Sequence, residues 1–410
     1  TEEPPAVSQP LQVEACLPMD LYNLFGPVVG GEHYRVRAKR EVPDRLRANG
    51  LSSFMFARGV GEQLAQVLQG WREHAAGCQV RLSSLKTVRT LGTGGYGKVV
   101  MVQDMRSGEL YAMKLQKKDR TTKCAVREAQ ALERSNHAFI VRLVHIFHTT
   151  TFYCLLMELC EMDLNVCILR QPSGQGLPDP SVARYASCIM LALEYIHGHR
   201  TVFQDLKPEN VLITSMAKGD YAKLADFGLA KSVEAAVRGN SSADSDEDVE
   251  AAIGVDSVQG SHQQWSAAAA SPPAGTLGFM SSEVLRGKSP DFASTRSASE
   301  RMRWLASRDW YGLGCCILLM LLGEGGGNKV FVSGRHVLLP PPEDRIFSVL
   351  RQAVRDRRID ESAFHLAAAL TASSATERAN SGMMRESEYL KDAIAELEAV
   401  AVHHPLQGSL

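Results

Sequence analysis

Phe203-Gln204-Asp205-Leu206-Lys207-Pro208-Glu209-Asn210 is followed, after the run 211–225, by Asp226-Phe227-Gly228. The apolar residues that flank and separate these polar groups read as strand, loop, strand. The loops at the two ends carry Asp205, Lys207, Asn210 and Asp226. Carboxylate and amide oxygens are the ligands a hard cation such as Mg²⁺ takes. The plainer reading is a strand pair that happens to carry Asp and Asn on its loops. A lone Asp-Phe-Gly deserves that reading; two polar halves at this spacing make it worth testing against the rest of the chain.

Composition narrows the classes. At 410 residues the chain is long enough for two or three structural units with a sizeable core. Its formal net charge of -1 gives no argument for nucleic-acid or anionic-membrane binding. The longest apolar run, Leu313 to Leu322, is shorter than the roughly 20 residues that span a bilayer, so it reads as a buried helix and no transmembrane segment is expected. Nine cysteines form no Cys-x-x-Cys and no zinc-spaced cluster. Those in apolar runs (Cys154, Cys188, Cys315, Cys316) read as reduced core residues, which makes a cytoplasmic location the default. The chain starts at Thr1 and not at Met, which reads as a fragment or processed form and leaves a secreted origin open.

Residues 1–84 read as an N-terminal extension. The basic stretch Arg35 to Arg40 is a solvated strand or loop, or a partner site. Leu64, Val67, Leu68 and Trp71 fall on one face of a helix over about 60–76, whose apolar stripe would brace the domain that follows. From Ser84 the pattern turns to strands. Val88 to Leu91 leads into Gly92-Thr93-Gly94-Gly95-Tyr96-Gly97-Lys98-Val99, a Gly-x-Gly-x-x-Gly-x-Val. Glycines let a backbone turn sharply and approach phosphate oxygens. A dinucleotide fold would place a helix directly after this loop. Here a second strand follows, then a turn at Ser107-Gly108 and a third strand, Leu110-Tyr111-Ala112-Met113-Lys114.

In this order the stretches resemble protein kinases: a glycine lid, Lys114, Asp205-x-Lys207-x-x-Asn210 and Asp226-Phe227-Gly228. The resemblance implies an α+β, bilobal fold. Its N-lobe, 85–158, is an antiparallel sheet with one helix; its C-lobe, 159–405, is mostly helical. It implies ATP and Mg²⁺ as cofactors, with Asp205 taking the hydrogen of a protein hydroxyl and Lys207 neutralising the γ-phosphate. Asn210 and Asp226 would hold the metal. Gly92 through Val99, Ala112 and Lys114 would bind nucleotide. So would Glu128, as the carboxylate paired with Lys114, with Glu133 as its competitor. The continuation Ser135-Asn136-His137-Ala138-Phe139-Ile140-Val141-Arg142-Leu143 favours Glu128 by its distance in that family. Met157, Glu158 and Cys160 would be the gatekeeper and the hinge that reads adenine. Gln171 to Pro180 reads as a surface loop and Ser181 to His199 as a helix, whose sequence resembles the AGC group.

After Lys231 the resemblance is interrupted. Val233 to Pro273 is rich in Ala, Ser, Gly and acidic residues, too poor in apolar ones to order itself. Gly275-Thr276-Leu277-Gly278-Phe279-Met280-Ser281-Ser282-Glu283 then resembles Gly-Thr-x-x-Tyr-x-Ala-Pro-Glu, so the tract is an insertion in the activation segment. Arg286 to Arg303 reads as a second polar insertion. Asp309 would anchor the catalytic loop, and Arg378 would pair with Glu283. Residues 387–403 read as a last helix. Thr276 with Lys207 is the pattern of serine/threonine kinases. Glu209 would meet a basic substrate residue, or is a plain loop carboxylate. Gln204 replaces the usual Arg, and Ser282 the usual Pro, which keeps a pseudokinase scaffold as the alternative. The missing Arg, the long insertion and the N-terminal brace are also similar to secreted kinases of apicomplexan parasites, rhoptry kinases among them. Because Gln204 offers no charge to a loop phosphate, the active conformation is expected to be set by packing, with Trp71 of the brace contributing.

Ser245, followed by Asp246-Glu247-Asp248, is expected to be a modification site for an acidophilic kinase. Deleting about residues 236–268 should leave the core folded, since closure entropy grows only with the logarithm of loop length. The check is thermal melting of the deletion variant; a large drop in Tm would show that the tract packs on the core.

Overall fold

The computed structural model describes residues 80–94, 97–118, 122–149, 151–172, 175–216, 219–232, 276–285, 297–333, 336–338 and 340–402. The expected helix over 60–76, the basic stretch 35–40, the loop tip Gly95-Tyr96 and the insertion 233–273 lie outside them. The chain divides into two compact units. The first takes the described residues up to Val126 together with Val144–Met157, and the second takes Arg127–Leu143 and the residues from Glu158 on.

The first unit is built on strands β1 (Leu85–Gly94), β2 (Gly97–Asp104) and β3 (Leu110–Lys117), the first turns of helix α1 (Thr122–Glu133), and strands β4 (Leu143–His148) and β5 (Phe152–Glu158). They form one sheet in the order β1-β2-β3-β5-β4. Along β2, Val100, Val102 and Asp104 are buried while their neighbours are not, the period of two that one covered face demands. Val100 and Val102 pack with Tyr111, Met113, Phe147, Cys154 and Leu156 into one core. Each fully buried side chain of this size contributes roughly 1.5–3 kcal/mol.

The second unit continues with β6 (Met162–Asp163), α2 (Leu164–Leu169), α3 (Asp179–Gly198), β7 (Thr201–Val202), β8 (Val211–Met216), β9 (Gly219–Leu224), β10 (Lys231–Ser232), α4 (Ser282–Leu285) and α5 (Ala298–Phe331). After these come β11 (Val332–Ser333), β12 (His336–Val337), α6 (Glu343–Arg355), α7 (Glu361–Leu370), α8 (Ser381–Arg385) and α9 (Lys391–Val402). In α3 the expected face of Val182, Tyr185, Ile189, Leu193 and Ile196 is buried, and the helix packs on β9, α5 and α9. α5 is long and apolar enough to cross a membrane, yet 89% of its most apolar window is buried inside the protein. Leu313 to Leu322 is thus the buried helix its composition suggested.

Two expectations are corrected. The segment Gln171 to Pro180 is not simply a surface loop, and Asp179 and Pro180 already belong to α3. α5 breaks at Gly323, which has φ 65°. A broken helix frees carbonyls of the preceding turn, and the N–H of buried Leu177 donates to that of Met320 at 2.7 Å. The second correction concerns Arg286 to Arg303. Residues 298–303 are the beginning of α5, because Ser297 and Glu300 form a capping box.

A Cβ added at Gly323 would lie 2.0 Å from the Gln175 carbonyl oxygen, on a backbone that L side chains rarely adopt. Gly323→Ala should therefore cost about 2 kcal/mol or more, a Tm loss of roughly 5 °C by thermal unfolding. An unchanged Tm would mean that the segment before α3 does not dock there.

Candidate active site

The hairpin β8–β9 sets the site. Val211 pairs with Leu224, and beyond that pair the N–H of Ala225 donates to the carbonyl of Asn210 at 2.9 Å. Asn210 and Asp226 therefore emerge at the same end of the hairpin. Pro208 opens a short 3₁₀ turn, Pro208–Asn210, that carries the chain into β8.

Three of the expected groups meet around the Asp205 carboxylate. Asp205 Oδ1 accepts from the N–H and the hydroxyl of Thr276, both at 2.8 Å. Its Oδ2 accepts from Asn210 Nδ2 at 2.9 Å and lies 3.2 Å from Lys207 Nζ. Lys207 Nζ donates in turn to the Thr276 hydroxyl at 2.7 Å. Asp205 is buried, and hydrogen bonds to a charged group contribute about 1.5–3 kcal/mol each, so the network fixes its orientation. The Asn210 amide also donates to the Asp205 carbonyl at 2.8 Å. With its NH₂ committed to Asp205, its Oδ1 is turned away as an oxygen donor. Asp226 is held left-handed at φ 61°, its Oδ1 accepting from Gly228 N–H.

The loop is tied down from α5. Asp309 is 1% exposed. Its carboxylate accepts from Phe203 N–H at 2.8 Å and Gln204 N–H at 2.7 Å, and lies 2.8 Å from His197 Nε2. Gln204 sits at φ 71°, a conformation that costs a non-glycine residue about 1–3 kcal/mol. The two charge-assisted bonds from Asp309 are enough to offset that cost. Gly312 lets the loop approach: a Cβ there would come within 3.0 Å of Leu206 Cβ. Phe203 and Phe227 meet edge to face, with ring centroids 5.1 Å apart.

Arg378 and Glu283 form a buried pair at 2.8 and 3.2 Å. The remaining guanidinium donors go to the carbonyls of Ala372 and Ser307. Ser282 donates its hydroxyl to Ser373 carbonyl at 3.1 Å, which gives this replacement for Pro a partner of its own.

In the first unit the pairing register places Gly92 opposite Val99 and Val99 opposite Lys114, a row across three strands. Lys114, Ala112 and Met157 are buried. In the second unit Glu128 is buried while Glu133 is exposed. Glu158 accepts from Arg142 N–H and from the buried Lys223, both at 2.7 Å. Burial, with the charge of Glu158, pushes the Cys160 thiol up to about 12, so it stays protonated at neutral pH.

Residues 85–390 match the family described as protein kinase domain. This chain belongs to that family. Among curated proteins it is 36% identical over 158 residues to serine/threonine-protein kinase nrc-2 of Neurospora crassa, covering 37% of this chain and 25% of that protein. It is 35% identical over 157 residues to cAMP-dependent protein kinase type 3 of Saccharomyces cerevisiae, covering 37% and 38%. It is 27% identical over 247 residues to G protein-coupled receptor kinase 1 of Caenorhabditis elegans, covering 59% and 31%. The matched stretches thus span well under half the length of these relatives.

Reading the sequence of this kinase domain missed Lys223, Trp304 and Arg308. A signal existed for the first, since a Lys between Tyr221, Ala222 and Leu224 in a fully buried strand end must find a carboxylate. Trp304 and Arg308 lie just beyond the stretch read as an insertion, Arg286 to Arg303, and only their packing in α5 marks them out.

Burial pushes the Glu283 carboxyl up, but the hydrogen bonds and charge of Arg378 outweigh it and hold the carboxyl below its ordinary value. Such a group contributes stability in full above its unfolded value, about 4.3, and loses it as pH falls through the folded value. Glu283→Gln should cost about 3 kcal/mol at pH 7, and its Tm should fall less than that of wild type between pH 6 and pH 3. Parallel Tm–pH curves would show that the pair does not govern acid stability.

Proposed function

We propose that this kinase domain transfers the γ-phosphate of ATP to a Ser or Thr hydroxyl of a protein substrate, with Mg²⁺. The observation that carries the reading is the Asp205 carboxylate bracketed by Lys207, Asn210 and Thr276. Asp205 would accept the hydroxyl hydrogen, held in orientation by its four contacts. Lys207 would neutralise charge on the transferred group. Mg²⁺ would neutralise the phosphates, and the residues fit it: Asn210 Oδ1 and the Asp226 carboxylate are hard oxygen donors at one end of one hairpin. Lys114 and the Gly92–Val99 row would bind nucleotide phosphates, and Glu158 to Cys160 the adenine edge.

The Ser/Thr preference is supported by the Lys207–Thr276 contact and by the names of the relatives. Membership near the AGC group rests on the same relatives and on the α3 sequence. An apicomplexan source rests only on Gln204 and on segments outside the described residues. Exposed Glu209 supports a substrate with a basic residue near the target hydroxyl. The alternative, a scaffold that binds nucleotide without transfer, draws on Gln204 and Ser282, but neither replaces a group assigned to phosphate or metal.

Asp205→Asn should reduce transfer to a generic peptide by about a thousandfold or more while leaving the ATP-Mg²⁺ thermal shift nearly intact. Asp226→Ala should lose the Mg²⁺-dependent part of that shift. Wild-type rates in both variants would remove the site assignment. A wild type with neither thermal shift nor transfer would leave only the scaffold.

A further inference from the structure

Gln204 precedes the catalytic Asp205, and its Oε1 is buried with no hydrogen-bond partner. An uncharged amide cannot fix a loop phosphate as a guanidinium would. Yet the strand that starts the activation segment is in place: β10 pairs with β7, Lys231 opposite Val202 and Ser232 opposite Thr201. β7 packs against α3 and against the part of α5 that precedes Asp309. Val202 is fully buried with Leu305, and Met302 and Trp304 lie against them. Trp304 is held by its neighbour one turn on, the Arg308 guanidinium standing 4.2 Å from its ring centroid. The Ser307 hydroxyl, also in that turn, donates to the Trp304 carbonyl at 2.7 Å.

Burial lowers the Arg308 guanidinium to about 10, opposed by the carboxylates of Glu283 and Asp309, while Arg378 adds to the lowering. It therefore keeps its charge at neutral pH, although its Nε is buried and has no hydrogen-bond partner. The charge that Gln204 lacks is thus present on the helix that anchors Gln204, spent on the tryptophan.

We propose that the helical extension Ala298–Arg308 is a built-in clamp that keeps β7 paired with β10. Trp304 and Arg308 are its positioning residues, and the start of the activation segment is ordered without a phosphate. The activity part of this proposal rests on the kinase reading above; its structural part does not.

The test uses the full chain made in bacteria, phosphatase-treated and shown free of phosphate by intact mass. Amide hydrogen exchange is followed in peptides covering 201–204 and 229–232, and kcat and KM are measured with ATP-Mg²⁺ and a peptide. Treated wild type should keep its activity within about twofold. Trp304→Ala should exchange about tenfold faster at 229–232 and lose about tenfold in kcat, with KM for ATP nearly constant. Trp304→Phe should restore both, and Arg308→Met should fall between. Unchanged exchange at 229–232 in Trp304→Ala and Arg308→Met overturns the proposal. So does a more than tenfold loss of wild-type activity on phosphatase treatment that rephosphorylation restores. If Trp304→Ala does not fold, Arg308→Met decides by the same criteria. If wild type never transfers phosphate, the kinase reading fails and the exchange comparison alone decides the clamp.

Discussion

The constraint on which the site depends is one buried carboxylate. Asp309 is almost wholly buried, so its carboxylate must be met by protein donors. Two of those donors are the backbone amides of Phe203 and Gln204, the residues that lead into Asp205. The carboxylate sits on α5, whose most apolar stretch is buried inside the protein, so the hydrophobic core and the polar loop are joined through Asp309. The loop can hold a left-handed residue because the core holds Asp309.

A second tie closes the site from the other end of the activation segment. Thr276 donates twice to Asp205 and accepts from Lys207. The described residues that follow Ser232 in the chain thus resume directly on the Asp205 carboxylate. One end is secured by strand pairing and the other by hydrogen bonds, and the site receives its geometry from both.

The family and the site's core were legible because both are local in sequence. Asp205, Lys207 and Asn210 lie within one short loop, and the glycine loop and Lys114 follow strand periodicity. The pairing of Arg378 with Glu283 was legible only through likeness to a family, since nothing local links them. What the sequence did not disclose depends on tertiary context. Gln171 to Pro180 has the composition of a surface loop, yet a glycine break in α5 draws Leu177 into the core. The start of α5 looked like an insertion because its charged residues mask a stripe of Met302 and Leu305, although Ser297 and Glu300 announced a helix. Lys223 was overlooked because a lone charge in an apolar run invites no pairing until the partner strand is known.

The Arg378–Glu283 pair has a consequence for how this sequence can drift. Every guanidinium donor is used, and the Tyr311 ring lies 5.0 Å from the guanidinium. Loss of either partner leaves a buried charge uncompensated, at roughly 3–5 kcal/mol, a large part of the margin by which a domain stays folded. Positions 95 residues apart in the chain therefore behave as one inherited character. Each is closed to single substitution while the other stands, and only a joint replacement by apolar residues of matching volume offers a way out.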